Sequence, residues 1–355
     1  MNGKNYAYSL FIAKLMINFI IPAHKCIFFQ NCLYFCHRLI VDMISIERYE
    51  PSLQAVWDDH VRTSRNGTFL HERAFMDYHS DRFDDCSLMA YVDGYLVAVL
   101  PANREGDTLC SHRGLSYGGW LMSAKRCDVT VMLEVVKAMK QWMHEHGLTK
   151  LVYKPVPHIY HCYPADEDLY ALWRAGAVVT GCSISSTIDL TCPLPMDRGN
   201  KSGLRTAERA GVTVGEDIRW DSYWQVLTEV LAARHNTQPV HKLDEILLLH
   251  SRFPDNIRLY TARHNEHVVA GVVMFFTPAV AHAQYIASSV EGRDMHALSL
   301  LFAHLREVAT SRCCRYFDFG ISTEDGGHIL SEGLLQQKSR LGGRGTLTQV
   351  LELNC

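Results

Sequence analysis

Residues 256–322 constrain the fold more than any other stretch. Residues 257–262 alternate apolar and polar side chains, residues 268–276 form a nearly unbroken apolar run, and the polar residues 264–267 between them predict a hairpin. After Thr277-Pro278 a third strand returns over residues 281–288. Residues 295–310 then set Leu298, Leu301, Phe302 and Leu305 on one helical face, and residues 316–320 close the unit as a strand ending in Asp318-Phe319-Gly320.

The same order occurs upstream. Residues 87–92 and 95–101 are strands around the tight turn Asp93-Gly94, residues 108–114 form a third, and residues 129–146 form an amphipathic helix ended by Gly147. Residues 151–154 form a last short strand, stopped by Pro155 and Pro157. The two first strands start 170 residues apart and the two helices 166 apart, so the chain reads as a structural duplication. The expected class is α/β (α+β): two tandem domains, residues 43–195 and 196–355, each a mixed, mainly antiparallel sheet flanked by helices. Cys192-Pro193-Leu194-Pro195 is the expected crossover.

Between and around these units lie further expected helices at residues 51–61, 71–79, 163–175, 200–212, 220–234, 241–250 and 328–340, with strands at 183–190 and 346–353. The helix over 200–212 carries Lys201, Arg205 and Arg209 at four-residue spacing, a positive face.

A chain of 355 residues with 48% hydrophobic and 21% charged residues can bury a core and is not of the disordered type. A net charge of −3 gives no general pull toward nucleic acid or an anionic membrane. Residues 1–42 differ from the rest. Lys14, Pro22, His24, Lys25 and Arg38 keep every apolar run short of the ~20 residues a membrane helix needs, and cationic and apolar parts are interleaved unlike a secretory signal. The expectation is an atypical extension from a misassigned start, with Met43 as the true start opening an edge strand and a genuine anchor as the alternative.

Twelve scattered cysteines without a Cys-x-x-Cys, and nineteen histidines without a His-Glu-x-x-His, predict neither a disulfide framework nor a metal site. The cysteines read as reduced thiols of a cytoplasmic protein. No serine-hydrolase elbow, P-loop or dinucleotide fingerprint is present.

Several residues are placed where chemistry occurs. Asp318, between Phe317 and Phe319, either caps a backbone group or acts as a base with a raised pKa. Lys338 lies near a helix C-terminus, where a lysine complements the dipole or serves a site. His235 and His241 flank a turn near the second sheet and, with Gln284, are expected to line a polar substrate pocket. Lys154, His158, Tyr160 and His161 follow the first unit's last strand, and loops at strand ends are where pockets form. Residues 111–119, rich in glycine, read as a close chain crossing. Gly292 and Arg293, between a strand and the next helix, are candidates for holding a phosphate, although Glu291 and Asp294 beside them oppose an anion.

Taken in order, these features resemble the FemAB-like branch of the GNAT acyltransferase superfamily. The resemblance rests on the doubled core, on Ala207-Glu208-Arg209-Ala210-Gly211-Val212 closing a basic segment, on Gln284-Tyr285-Ile286-Ala287-Ser288-Ser289, on Asp318-Phe319-Gly320, and on residues 338–343. The last is similar to a Phe-Lys-x-x-Phe-Gly pattern, with Gln337 and Leu341 standing where aromatics are usual, and the glycine-rich loop of acyl-CoA users is absent. The resemblance covers residues 43–353 and implies transfer of an acyl or aminoacyl group to an amine on a sugar, nucleotide sugar or peptidoglycan precursor. It implies a tetrahedral intermediate stabilised by Lys338, and with it the expected roles are that Gln284 and Tyr285 position the donor carbonyl and that Asp318 or a water it holds takes the amine proton. The implied co-substrate is acetyl-CoA or another acyl-CoA, with no metal, and the implied acceptor is a small molecule or sugar nucleotide. Aminoacyl-tRNA is the alternative donor, DNA and a stable membrane span are not expected, and a non-catalytic binding protein on the same scaffold is the alternative of another class.

Overall fold

The computed structural model describes residues 44–235 and 237–355. Residues 1–43, and with them the expectation of a misassigned start, lie outside the described residues.

In the first half β1 (Ile44–Arg48) leads to α1 (Gln54–Thr63), which buries Trp57, His60 and Val61 and leaves Val56 exposed. The second expected helix breaks into short turns of which only α2 (Arg73–Met76) is α-helical. Side chains compete with the helix there: Asp58 captures the N–H of Arg73, His71 Nδ1 captures that of Thr68, and Glu72 is extended.

The strands β2 (Asp84–Asp85), β3 (Leu88–Val92), β4 (Tyr95–Leu100) and β5 (Asn103–Glu105) form one hairpin whose two arms bend at Ser87 and Ala102. Ser87 carries the pairing across the bend, its Oγ accepting the N–H of Ala102 at 3.2 Å. β6 (Thr108–Cys110) ends four residues before the expected bound. His112 turns to a φ of 54° and Asn103 Oδ1 takes the N–H of Arg113, so the chain leaves the sheet until β7 (Leu121–Met122) joins β4. Helix α3 (Val129–Glu145), capped by Asp128, crosses to β8 (Lys150–Tyr153), which lies parallel to β6. Then come α4 (Glu167–Arg174) and the long β9 (Val178–Asp189).

The second half adds α5 (Arg198–Arg209), β10 (Thr213–Glu216), α6 (Trp220–His235) and α7 (Leu243–Arg252). The meander β11 (Ile257–His264), β12 (His267–Phe276), β13 (Val280–Ser288) follows as the alternation predicts. After α8 (Val290–Asp294) and α9 (Ala297–Ser311), β14 (Tyr316–Ile321) lies parallel to β13. The hairpin β15 (Thr323–Glu324) and β16 (Ile329–Leu330) stands where the last helix was expected to begin, before α10 (Glu332–Arg340) and β17 (Arg344–Asn354). So α3 links the parallel pair β6 and β8 as α9 links β13 and β14, the structural signature of the duplication.

Eleven strands run in one mixed sheet in the order β10-β11-β12-β13-β14-β9-β17-β8-β6-β5-β2, and β1-β3-β4-β7 form a small one. Both halves belong to one compact unit, Ser45–Cys355. The exchange at the centre explains why: β9, from the first half, runs antiparallel between β14 and β17, and β17 in turn pairs with β8.

Both faces of β12 are covered, which is why its sequence is apolar throughout. Val272 and Met274 meet α9, whose buried stripe includes Leu301, Phe302 and Leu305, while Val273 and Phe275 meet Trp224, Tyr223 and the aromatic residues Phe69 and Phe75 of the first half. Each such side chain contributes about 1.5–3 kcal/mol when fully buried, so the aromatic layer ties the halves together. Among the described residues no helix is long and apolar enough to cross a membrane.

Candidate active site

β13 and β14 pair at only three positions, Val280 with Tyr316, Ala281 with Phe317 and His282 with Asp318. Beyond that register they part, and β13 runs on to Ser288 with its edge toward β14 unpaired. A cavity of about 850 Å³ occupies the opening, within the ~300–1,000 Å³ usual for ligand sites. Its walls come from both faces of the sheet: Leu298, Phe302 and Phe319 on the α9 side, and Phe275, Tyr117 and Tyr160 on the side of the first half.

At the point where the strands diverge, His282 Nδ1 stands 2.8 Å from Asp318 Oδ2. Asp318 Oδ1 accepts the hydroxyls of Ser185 at 2.5 Å and Thr187 at 2.9 Å, both on β9. Burial alone would push this carboxyl up, but the contact with His282 and the two hydroxyls outweigh it and hold the group below the usual carboxylate range. Asp318 therefore neither caps a backbone group nor has the raised pKa expected of a base. It is an ionised acceptor saturated by side-chain donors.

Lys338, near the end of α10, points back into the sheet and donates to the carbonyls of Gly320 at 2.8 Å and Ile321 at 2.7 Å. It is buried, and desolvation lowers its pKa to about 8, against the opposing field of Asp318. Gly320 lies between the two groups. Its φ of +78° favours glycine, and a Cβ there would stand 3.5 Å from His282 Cε1.

The first-half wall is the excursion after β6. It is stapled to the end of β8, with Ser111 N–H on the Val152 carbonyl, Gly118 N–H on the Lys154 carbonyl, and Trp120 N–H on the Tyr153 hydroxyl at 2.6 Å. Tyr117 and Tyr160 pack with ring centroids 4.5 Å apart. Lys154 lines the cavity with its Nζ 3.5 Å from the Leu115 carbonyl, and burial followed by the repulsion of Arg113 lowers its pKa.

The structure thus brings Asp318, Lys338, Gln284, Lys154, Tyr160 and Arg293 to one cavity. Tyr285 is not among the lining residues. Gln284 is the extra residue of a bulge, since Val273 pairs with Tyr285 but Met274 with Ala283, and this turns Tyr285 toward Trp224 and His241. His241 is buried against the Tyr285 hydroxyl, His158 is exposed, and His161 is spent on the Val156 carbonyl at 2.9 Å. The side chain of His235 lies outside the described residues. Gly292 is required because a Cβ would meet the Val269 carbonyl oxygen at 2.3 Å, and its N–H is already taken by Ser289 Oγ at 3.0 Å. Arg293 reaches the cavity while donating to the Ser288 carbonyl at 2.8 Å.

His282, Ser185, Thr187 and Tyr117 were missed as site residues. Only the interruption Ala281-His282-Ala283-Gln284 in an otherwise apolar strand hints at the first. The partners of Asp318 depend on β9 lying beside β14, which no local pattern reveals.

Residues 198–325 match the family model described as Acetyltransferase (GNAT) domain. No curated protein matches the chain in sequence. Among solved structures, FemX is similar at 12% identity and a TM-score of 0.61, over 85% of this chain and 96% of that one. The conserved protein of unknown function from Bacteroides thetaiotaomicron VPI-5482 is similar at 10% identity and 0.59, over 88% of this chain and 100% of that one. L-PGS from Bacillus licheniformis is similar at 12% identity and 0.57, over 86% and 92%. At these identities the likeness is one of fold.

Proposed function

We propose that the chain, with a GNAT domain match over residues 198–325 and a fold like that of FemX, is an acyltransferase that moves an acyl group from a coenzyme A thioester to an amino group of a sugar or cell-envelope precursor. The observation that carries this reading is the cavity that passes through the sheet where β13 and β14 part. A donor entering from the α9 side would lay its carbonyl against the unpaired edge of β13, whose amides are fixed donors for a developing oxyanion. An amine entering from the side of Tyr117, Tyr160 and Lys154 would meet that carbonyl from the opposite side, as displacement requires. Lys338 would add a positive charge near the same oxygen, in a setting from which bulk water is largely excluded. The fit of a small anionic acceptor is supported by the cations along the cavity, Lys154, Lys338 and Arg293, against one carboxylate, Asp318.

The test is ligand-induced stabilisation of the full chain by acetyl-CoA, free coenzyme A and an adenine-nucleotide control, followed by mass analysis of products with an amine panel. At about 100-fold excess over Kd a native-state ligand adds ~2.7 kcal/mol. A coenzyme-specific rise in Tm with an acylated product supports the reading. No shift at millimolar ligand removes coenzyme A as donor.

A second reading, an aminoacyl-tRNA-dependent transferase, is favoured by a different observation. Arg198, Lys201, Arg205 and Arg209 lie exposed along α5, none paired with a carboxylate among the described residues, while the Gly292 amide that a coenzyme phosphate would seek is occupied.

A further inference from the structure

We infer that His282 is the catalytic base that takes the proton of the acceptor amine, with Asp318 as the residue that positions its ring. The inference rests on the acyl-transfer reading and assigns a step within it.

The ring is placed by the fold. His282 is the last residue of β13 in register with β14, so it stands at the apex of the opening, where a donor carbonyl laid along β13 would begin. Its Nδ1 is held by Asp318, and Asp318 is held in turn by two hydroxyls of β9, so three strands fix one imidazole. An ionised carboxylate at Nδ1 accepts a hydrogen bond, which puts the proton of the neutral ring on Nδ1 and the lone pair on Nε2. Among the described residues Nε2 has no hydrogen-bond partner, and the side chain lines the cavity. The missing Cβ of Gly320 leaves room beside Cε1.

Three other candidates are committed. Among the described residues Asp318 is the sole carboxylate in the cavity lining, and its oxygens are taken. Lys338 is directed at two carbonyls, and Tyr285 is bound to His241 outside the cavity. The titratable and charged groups sharing the cavity with the ring are Asp318 from β14, Lys338 from α10, Arg293 from α8, Cys182 from β9, and Tyr117, Tyr160 and Lys154 from the first half.

The step balances as follows. The lone pair of the neutral amine attacks the acyl carbonyl carbon and the N–C bond forms, with the carbonyl electron pair moving to oxygen. His282 Nε2 takes the N–H proton that the new ammonium must lose. The oxyanion then reforms the carbonyl, the bond to the leaving sulfur (or ester oxygen) breaks with its electron pair, and the imidazolium returns the proton to that atom. No redox partner is needed.

The experiment uses the full chain with acetyl-CoA as donor and glucosamine as probe amine, and an aminoacyl ester as second donor. His282→Asn keeps an amide donor for Asp318 but removes the base. It is expected to lower kcat by about 100-fold or more, with KM for acetyl-CoA unchanged and the acid limb of the pH profile lost. Imidazole is expected to restore part of the activity of His282→Ala. Asp318→Asn is expected to lower kcat less and to change the tautomer. Nitrogen NMR of the neutral ring, needing no turnover, is expected to show the tautomer with the proton on Nδ1 and Nε2 bare. A His282→Asn variant with more than a tenth of wild-type kcat, or a neutral ring protonated at Nε2, overturns the proposal. If the wild type acylates no amine from either donor, the acyl-transfer reading falls, and the tautomer still decides whether His282 is poised as a base.

Discussion

The hydroxyl of Tyr285 accepts the main-chain N–H of His241 at 3.2 Å and meets the Nδ1 of the same residue at 2.5 Å. Burial lowers the His241 pKa to about 4 and raises that of Tyr285 to about 12, so at neutral pH both are uncharged and the phenol donates to the imidazole. This pair joins α7 to β13 on the side away from α9. Tyr285→Phe leaves a buried imidazole nitrogen and a main-chain N–H without a partner, so a loss of ~1–3 kcal/mol is expected in urea unfolding. The kcat of the variant is expected within a few-fold of wild type. A 100-fold fall with stability intact would return Tyr285 to the chemistry.

Lys338 carries a prediction in pH. Its folded-state pKa, lowered to about 8, lies below the ordinary lysine value, so between the two the unfolded chain binds the proton and the folded chain does not. Its burial thus weighs against stability below about pH 8 and is relieved as pH rises further. Activity runs the other way if the cation faces the oxyanion. The rate is expected to fall as pH rises through about 8, and Lys338→Met to cost ~10² to 10³ in kcat. Lys338→Met with kcat reduced less than about tenfold would reject the role.

The second-half meander and the two crossover helices could be read directly from residues 87–154 and 257–320, because alternation and helical spacing are local consequences of which faces are buried. Asp318 could be picked out because a charge between Phe317 and Phe319 is conspicuous, whereas Lys338, set among Gln336, Gln337, Ser339 and Arg340, stood out only by its place near a helix C-terminus and in the Lys338-to-Gly343 pattern. The identity of Asp318's partners was not legible, since Ser185 and Thr187 approach it only through the insertion of β9 between β14 and β17. The place of Tyr285 was misjudged for a different reason: one bulge residue, Gln284, inverts which side of the sheet each later residue faces. The excursion at residues 111–119 read as a chain crossing, yet its closure depends on backbone bonds to the end of β8.

Asp168 on α4 is buried, and its carboxyl accepts the hydroxyl of Tyr153, which itself accepts the N–H of Trp120. Desolvation raises its pKa to about 7, against the help of Tyr153 and the N–H of Leu169. A raised folded-state pKa means that the folded chain holds this proton where the unfolded chain has lost it. The stabilisation is complete below the unfolded value near 4 and is lost as pH rises through about 7. Asp168→Asn, which still offers a carbonyl to Tyr153, is expected to flatten the decline in unfolding free energy between about pH 4 and pH 7, by an amount on the order of a few kcal/mol. An unchanged slope would show that Asp168 titrates normally. Tyr153 precedes Lys154, so the same variant reports whether this clamp also sets KM for the amine.

The basic face of α5 separates the two donors. Gly203 and Ala207 bury one side of the helix, with Gly203 packed against His296 and Ser299 at the start of α9, and Arg198, Lys201, Arg205 and Arg209 remain exposed on another. If the donor is an aminoacyl-tRNA, its phosphates would lie along this face. Each phosphate contact then contributes ~0.7 to 0.9 to the slope of log K against log salt. Arg205→Glu combined with Arg209→Glu is expected to reduce that slope by about 2 and weaken tRNA binding, with Tm and the response to acetyl-CoA preserved because neither side chain is buried. Charge reversal that leaves tRNA binding and its salt dependence unchanged would exclude α5 as the contact and remove the observation that favours the second donor.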